Sequence, residues 1–272
     1  MVKTIIKAFI IGSTMMVPGL SGGSMAMVLS IYADLINALS DFRKDIKKNL
    51  TFLATFCISA LVGMFLLAKP ILSIIERFPI VSMYFFIGLV VGSIPTIYRS
   101  AKVDKLNFKD IAAFLLGLVI VLSIGALPEG LLTFTELNFT QVLIQMVGGF
   151  VVAIGFMLPG ISLSYLLLVL GLYSYILEHV AALNILPLIP FALGFGLGCI
   201  LTVKGLKKAL EQYPRFSYLM ILGFLTGSLV PVYPGLPNTK VEWGLSIVLF
   251  IIGVLAIYFL SKIEQSKEAL VE

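Results

Sequence analysis

The chain has 272 residues, of which 60% are hydrophobic and only 12% charged, with a mean hydropathy of +1.09. A soluble domain carries about 25% charged residues, so this chain lacks the polar surface to cover itself in water and reads as an integral membrane protein. Its net charge of +5 therefore bears on orientation in a bilayer, and no nucleic-acid partner is expected.

The apolar runs, in chain order, are residues 5–17, 22–38, 50–68, 80–98, 110–127, 140–157, 162–177, 186–203, 216–232 and 242–260. Each predicts a helix, so the fold class is an all-α polytopic membrane protein. Lys3 and Lys7 before the first run imitate a signal peptide. No small-residue cleavage site follows, and the segment is read as retained. The first run has 13 residues, about 20 Å as a helix, against a hydrocarbon core about 30 Å thick. It cannot cross alone. Residues 5–38 are either one long kinked span or a re-entrant hairpin with Pro18-Gly19 at its tip. Cys57 and Cys199 both lie in apolar runs and are expected to be small buried hydrophobes. His179 is the one histidine, which argues against a histidine-rich metal centre; no metal and no cofactor are expected. No soluble domain or linker interrupts the chain, so residues 1–272 form one membrane domain.

The basic residues favour the hairpin. Charged loops fall at 41–48 (Arg43, Lys44, Lys47, Lys48), 99–109 (Arg99, Lys102, Lys105, Lys109) and 204–215 (Lys204, Lys207, Lys208, Arg215), with Lys262 and Lys267 near the C-terminus. If residues 5–38 and 140–178 return to the side they entered from, these loops and both termini share the cytoplasmic face. Of 19 Lys and Arg, only Lys69, Arg77 and Lys240 then lie outside. A single crossing by residues 5–38 would put loop 41–48 opposite Lys3 and Lys7, against the positive-inside rule.

Two stretches nearly repeat each other. MVPGLSGGSMAMVLSIYADLI at 16–36 aligns with MLPGISLSYLLLVLGLYSYIL at 157–177 at an offset of 141. Met16, Pro18, Gly19, Ser21, Val28, Leu29 and Tyr32 recur as Met157, Pro159, Gly160, Ser162, Val169, Leu170 and Tyr173. Further on, Glu76, Pro79, Gly88, Gly92 and Ser93 recur as Glu211, Pro214, Gly223, Gly227 and Ser228 at an offset of 135, as do Gly63 and Lys69 at Gly198 and Lys204. The unit is a hairpin followed by three spans, over residues 1–132 and 133–272. An odd number of crossings inverts the second copy relative to the first, and a helix broken twice inside apolar runs points to a transporter.

Pro18 removes an N–H and ends the first half-helix, Gly19 lets the chain turn, and Ser21 is placed to cap a second half-helix that opens with Gly22, Gly23 and Ser24. Free amides and hydroxyls would then face mid-membrane, an anion site without formal charge. The second tip offers Pro159, Gly160, Ser162 and Ser164, with Leu163 in place of Gly22 and Tyr165 in place of Ser24; it is expected to be the less open of the two. Lys69 and Lys204 are candidate phosphate counter-charges. Asp34, Glu76, Glu178 and Glu211 are candidate proton relays, although positions near segment ends also suit side chains that reach water. Tyr32 and Tyr173 fit interfacial anchoring equally well. Gly88/Gly92 and Gly223/Gly227 have the spacing of close helix packing.

On these motifs the chain resembles the PopT family of bacterial and archaeal polyprenyl-phosphate transporters. The resemblance covers essentially the whole chain. It implies a membrane protein that returns undecaprenyl phosphate, the carrier lipid of cell-wall synthesis, from the outer to the inner leaflet. The implied site is Pro18, Gly19, Ser21, Gly22, Gly23 and Ser24 with Pro159, Gly160 and Ser162; Leu163 departs from the glycine that relatives carry there. The implied partner is a polyprenyl phosphate in the bilayer, and a monomer and a homodimer both suit the fold. Two other readings stay open. Undecaprenyl-pyrophosphate phosphatases share a PG-x-S-R-S-G motif, but here Gly22 stands at the arginine and residues 5–38 hold no glutamate, so the groups for phosphoryl chemistry are missing. A carrier of a small soluble anion would use the same tips.

Overall fold

The computed structural model of the chain describes residues 1–15, 21–132, 138–182 and 184–268. Among the described residues the fold is all-helical. The first half runs α1 (Val2–Thr14), α2 (Gly22–Val28), α3 (Tyr32–Ser40), α4 (Ile46–Arg77), α5 (Pro79–Ser100) and α6 (Phe108–Gly125). The second half runs α7 (Phe139–Met157), α8 (Leu163–Val169), α9 (Leu172–Ala181), a 3-10 turn at Leu186–Leu188, α10 (Ile189–Gln212), α11 (Pro214–Val232) and α12 (Lys240–Glu268). Seven helices among the described residues are long and apolar enough to cross a membrane: α4, α5, α6, α7, α10 with its leading turn, α11 and α12. The chain is thus a multi-pass membrane protein.

Local chemistry sets the helix ends. Asp45 accepts the Lys48 amide at 3.1 Å at the start of α4, and Asn107 and Asp110 cap α6 reciprocally. Pro79 and Pro214 open α5 and α11, where a missing N–H costs nothing. The run predicted at 50–68 is part of a 32-residue helix that passes through Pro70. Lys69 therefore sits on a helix rather than beyond its end. The two leading helices differ: α1 has 13 residues, whereas α7 has 19 and is long enough to span. Cys57 is exposed on α4 and Cys199 half-buried, so the expected burial of both cysteines is not found. Apolar outward faces explain it, since α4 also exposes Phe65 and Leu66.

Packing follows the duplication. α1 lies along α4 as α7 lies along α10, and α5 lies along α12 as α6 lies along α11. Exchanging each helix for its counterpart six places on leaves these four pairings unchanged. The contact points repeat as well. A Cβ on Gly63 would stand 2.1 Å from the Phe9 carbonyl oxygen, and one on Gly198 2.9 Å from that of Phe150. Gly88 meets the Phe250 carbonyl and Gly223 that of Phe114, so the small residues serve the close backbone approach that holds helices together where no hydrophobic force does. The centre is α5 against α11, with Val90, Ile221, Phe224 and Leu225 fully buried.

Ion pairs gather the basic loops. Lys207 bonds Asp41 at 2.5 Å, and Arg215 grips Asp110 through Nε and Nη2 at 2.6 Å each. Met1 and Thr4 share a cavity with Asp45, Lys47 and Lys48. The N-terminus and the loops at 41–48, 99–109 and 204–215 thus lie on one face. Tyr84 at the other end of α5 meets Gly235 and Tyr233 on the opposite face.

Candidate functional site

The broken helices meet in the interior. Pro18, Gly19 and Met16 lie outside the described residues, so the first tip is described from Ser21 onward. Ser21 is extended (φ −97°, ψ 149°) and its hydroxyl accepts the Ser24 amide at 3.0 Å. The first bond of the helical ladder runs from the Met25 amide to the Ser21 carbonyl at 3.1 Å. Gly22 and Gly23 precede that bond, where helix geometry gives an amide no intrahelical acceptor. The second tip repeats the device more loosely. Ser162 is extended (φ −80°, ψ 122°) and its hydroxyl accepts the Tyr165 amide at 3.5 Å.

Ser24, buried at 1% exposure, joins the tips. Its hydroxyl oxygen accepts the Gly160 amide at 2.8 Å and lies 2.8 Å from the Ser21 hydroxyl. Two hydroxyl hydrogens serve that pair and one of them closes the Ser21–Ser24 bond, so among the described residues the other is a spare donor. Beside them, a Cβ on Gly23 would lie 3.4 Å from the Pro159 Cα. Gly160 has φ +93°, a conformation only glycine adopts cheaply, and a Cβ there would stand 2.7 Å from the Phe224 backbone. Tyr32, at the start of α3, donates its hydroxyl to the Met157 carbonyl across the repeat boundary. That carbonyl ends α7 and Pro159 follows it.

Each short helix is followed by a residue in the left-handed region. α2 ends at Ser30, in the left-handed region (φ +52°), with Lys7 of α1 donating to the Ser30 carbonyl at 3.4 Å. α8 ends at the equivalent Gly171 (φ +72°), where the Gly130 and Leu131 amides of the α6–α7 connection bond the Leu168 and Val169 carbonyls at 3.0 and 2.8 Å. α2 and α3 then diverge by 115°.

Two cavities flank the tips. One of about 540 Å³ lies between α6, α8 and α11 and takes in Gly160, Ser162, Tyr165 and Ser228. The other, about 570 Å³, lies between α1, α2, α4, α5 and α12 and is almost wholly apolar. A third, about 470 Å³, sits on the basic face and is lined by Asp34, Asp41, Lys44, Lys48, Lys207 and Glu211.

The structure thus brings together Ser21, Gly22, Gly23, Ser24, Pro159 and Gly160, with Ser162 one turn away. Ser164 is exposed. Lys69 and Lys204 are exposed on α4 and α10 and are not drawn to the tips. Glu76 and Glu178 are exposed near helix ends, and Asp34 and Glu211 line the polar cavity. In that cavity the hydrogen bond from Lys207 holds the Asp41 carboxyl below its ordinary 3.8. Tyr32 is the residue near the tips that sequence reasoning placed least well. It is 4% exposed, an interior donor rather than an interfacial anchor, and its recurrence at Tyr173 was the available signal. Gln145, fully buried and donating to the Tyr175 hydroxyl at 3.1 Å, carried no repeat signal. Chemically, the tips offer hydroxyl and amide donors, the partners that a phosphate oxygen takes. Among the described residues no group of three His, Cys, Asp or Glu is placed to hold a metal ion.

Comparison with known proteins gives the chain's family. The chain is 32% identical over 277 residues to a polyprenyl-phosphate transporter of Staphylococcus aureus, covering 97% of each sequence. It is 25% identical over 246 residues to a polyprenyl-phosphate transporter of Vibrio cholerae, covering 85% of this chain and 77% of that one. No solved structure matches the chain. A family model described as undecaprenyl phosphate translocase-like matches residues 11–245, both tips included, and the chain belongs to that family.

Proposed function

We propose that this protein carries polyprenyl phosphate, undecaprenyl phosphate foremost, from the outer to the inner leaflet of a bacterial or archaeal plasma membrane, returning it for cell-envelope synthesis. The protein is a transporter and not an enzyme. Each half is a re-entrant hairpin followed by three spans, the halves are inverted, and both termini are cytoplasmic. The gathering of the basic loops on one face supports that orientation. The bonds that tie the end of α2 to Lys7 of α1 and the end of α8 to the α6–α7 connection support the hairpins.

The observation that carries the reading is the junction of Ser24 with Gly160 inside an apolar bundle. Two interrupted helices place backbone and hydroxyl donors at one buried point, and backbone outside a helix persists at membrane depth only where protein or a cavity accommodates it. The phosphate sits at this junction, held by Ser21, Gly22, Gly23 and Ser24, with Pro18 and Gly19 shaping the turn and Pro159, Gly160, Ser162 and Ser164 opposite. Lys69 and Lys204 lend positive charge along the path. Moving an anion inward against an inside-negative potential costs about 2.3 kcal/mol per charge per 100 mV, so import is coupled to protons through Asp34, Glu76, Glu178 or Glu211. The molecule works as a monomer or a homodimer.

Flipping of polyprenyl phosphate in proteoliposomes tests this. Gly23→Leu drives a side chain into Pro159 and abolishes flipping in a folded protein, and Ser21→Ala weakens it. Normal flipping by Gly23→Leu removes the first tip as the site. Flipping that ignores an imposed pH gradient removes the proton coupling alone.

A further inference from the structure

We infer that the apolar cleft behind the first tip holds the isoprenoid tail of the lipid whose phosphate the tips bind, an inference that rests on the transport reading above. The cleft encloses about 570 Å³, within the range of about 300–1,000 Å³ usual for ligand pockets. It begins at the tip. Met25, in its wall, is the residue after Ser24, and Leu29 lies one turn on. The walls opposite are Ile71 of α4, Phe86 and Leu89 of α5 and Ile257 of α12. Thr14, also in the wall, spends its hydroxyl on the Ile10 and Ile11 carbonyls at 3.1 and 2.9 Å. An apolar cavity of this size excludes water and is filled by hydrocarbon.

The position selects one occupant. A chain whose phosphate lies at Ser21–Ser24 has Met25, in the cleft wall, as the next residue beside it. The rim is formed by Ile74, 57% exposed, and by exposed Ala256, so a long tail continues past them onto the apolar outer faces of α4 and α12. A single methyl-branched chain fits this path, whereas a glycerophospholipid must place two chains. The cavity beside the second tip is mainly apolar too, but it adds Ser162, Tyr165 and Ser228 to its lining, so it is the more polar of the two. Both tips thus meet the headgroup, and the tail follows the less polar cleft beside the first, between helices of both halves.

The test compares an eleven-unit polyprenyl phosphate with farnesyl phosphate in proteoliposomes, for the unmodified protein, Ala256→Trp and Ile74→Trp. Both substitutions stand at the exposed rim and leave the core intact. We expect each to lower flipping of the long lipid about tenfold and of the short one less than about twofold. Equal loss for both lipids, or no loss for either, overturns the inference. A diazirine-bearing polyprenyl phosphate gives a second readout that needs no variant. It should label the peptides carrying Met25 or Phe86, with labelling displaced by unlabelled polyprenyl phosphate and not by phosphatidylglycerol. Displacement by phosphatidylglycerol, or labelling elsewhere, assigns the cleft to bulk lipid and overturns the inference. An unmodified protein that flips neither lipid counts against transport, and the labelling then still decides the cleft.

Discussion

At the first tip a serine, Ser24, stands between its own helix cap and the backbone of the other half, accepting from Gly160 and bonded to Ser21. At the second tip the equivalent residue is Tyr165. Its hydroxyl leaves the junction and reaches the carbonyls of Gly125 and Leu127, 3.1 Å from each, at the end of α6. The same divergence separates the tyrosines. Tyr32 is buried and bonded to Met157, whereas Tyr173 is 39% exposed. Side chains of the first half thus hold the backbone of the second at two points, Gly160 and Met157; the equivalent positions, Gly19 and Met16, lie outside the described residues. Of the two tips, the first thus carries the holding side chains and the second the held backbone.

The sharpest way to break this comparison is to add a methyl group to each tip. Gly160→Ala places a Cβ 2.7 Å from the Phe224 backbone in a left-handed conformation, and should cost about 3 kcal/mol or more. Gly23→Ala meets only ordinary contact at 3.4 Å and should stay within about 0.5 kcal/mol. Thermal unfolding in detergent reads both, and equal tolerance at the two glycines would contradict a held second tip. Next come two serines at the tips. Ser24→Ala leaves a buried Gly160 amide without its acceptor, a loss of about 1–3 kcal/mol. Ser162→Ala removes a 3.5 Å cap and should cost about 0.5 kcal/mol. The tyrosines differ by less: Tyr32→Phe frees the Met157 carbonyl for about 1–2 kcal/mol, and Tyr173→Phe should be near neutral.

The smallest effect concerns pH at the basic face. Lys207 lowers the Asp41 pKa in the folded state. A carboxyl shifted in that direction adds stability above its unfolded pKa, and loses it only as pH falls through the lower folded value. The Asp41–Lys207 pair therefore stays intact from about pH 8 down to about pH 5, below which 3.8 is still to be crossed. A scan of melting temperature for the unmodified protein and Asp41→Asn should show a constant gap across that range. A gap that closes before pH 5 would show another group titrating there.

Much of this was legible in the sequence because bilayer burial writes long apolar runs and duplication writes repeats. The runs at 80–98, 110–127, 140–157 and 216–232 coincide with α5, α6, α7 and α11 to within a few residues. Gly88, Gly92 and Gly223 pack on backbone, as their spacing implied. The run read at 50–68 stops short of the end of α4, because a helix supported by neighbours continues past a proline, here Pro70. What stayed hidden joins residues far apart in the chain. Ser24 and Gly160 are separated by 136 positions, Tyr32 and Met157 by 125, and Asp41 and Lys207 by 166. One sequence records which residues recur but not which partner each one finds.

The most direct test of the central claim, that the two broken helices meet at one buried point, is a cross-link between them. In a background with Cys57 and Cys199 replaced by alanine, Gly23→Cys and Pro159→Cys are combined in native membranes and oxidised. The junction predicts rapid disulfide formation that stops polyprenyl-phosphate flipping and reverses with reductant. No cross-link, or flipping undiminished in the cross-linked protein, would contradict it.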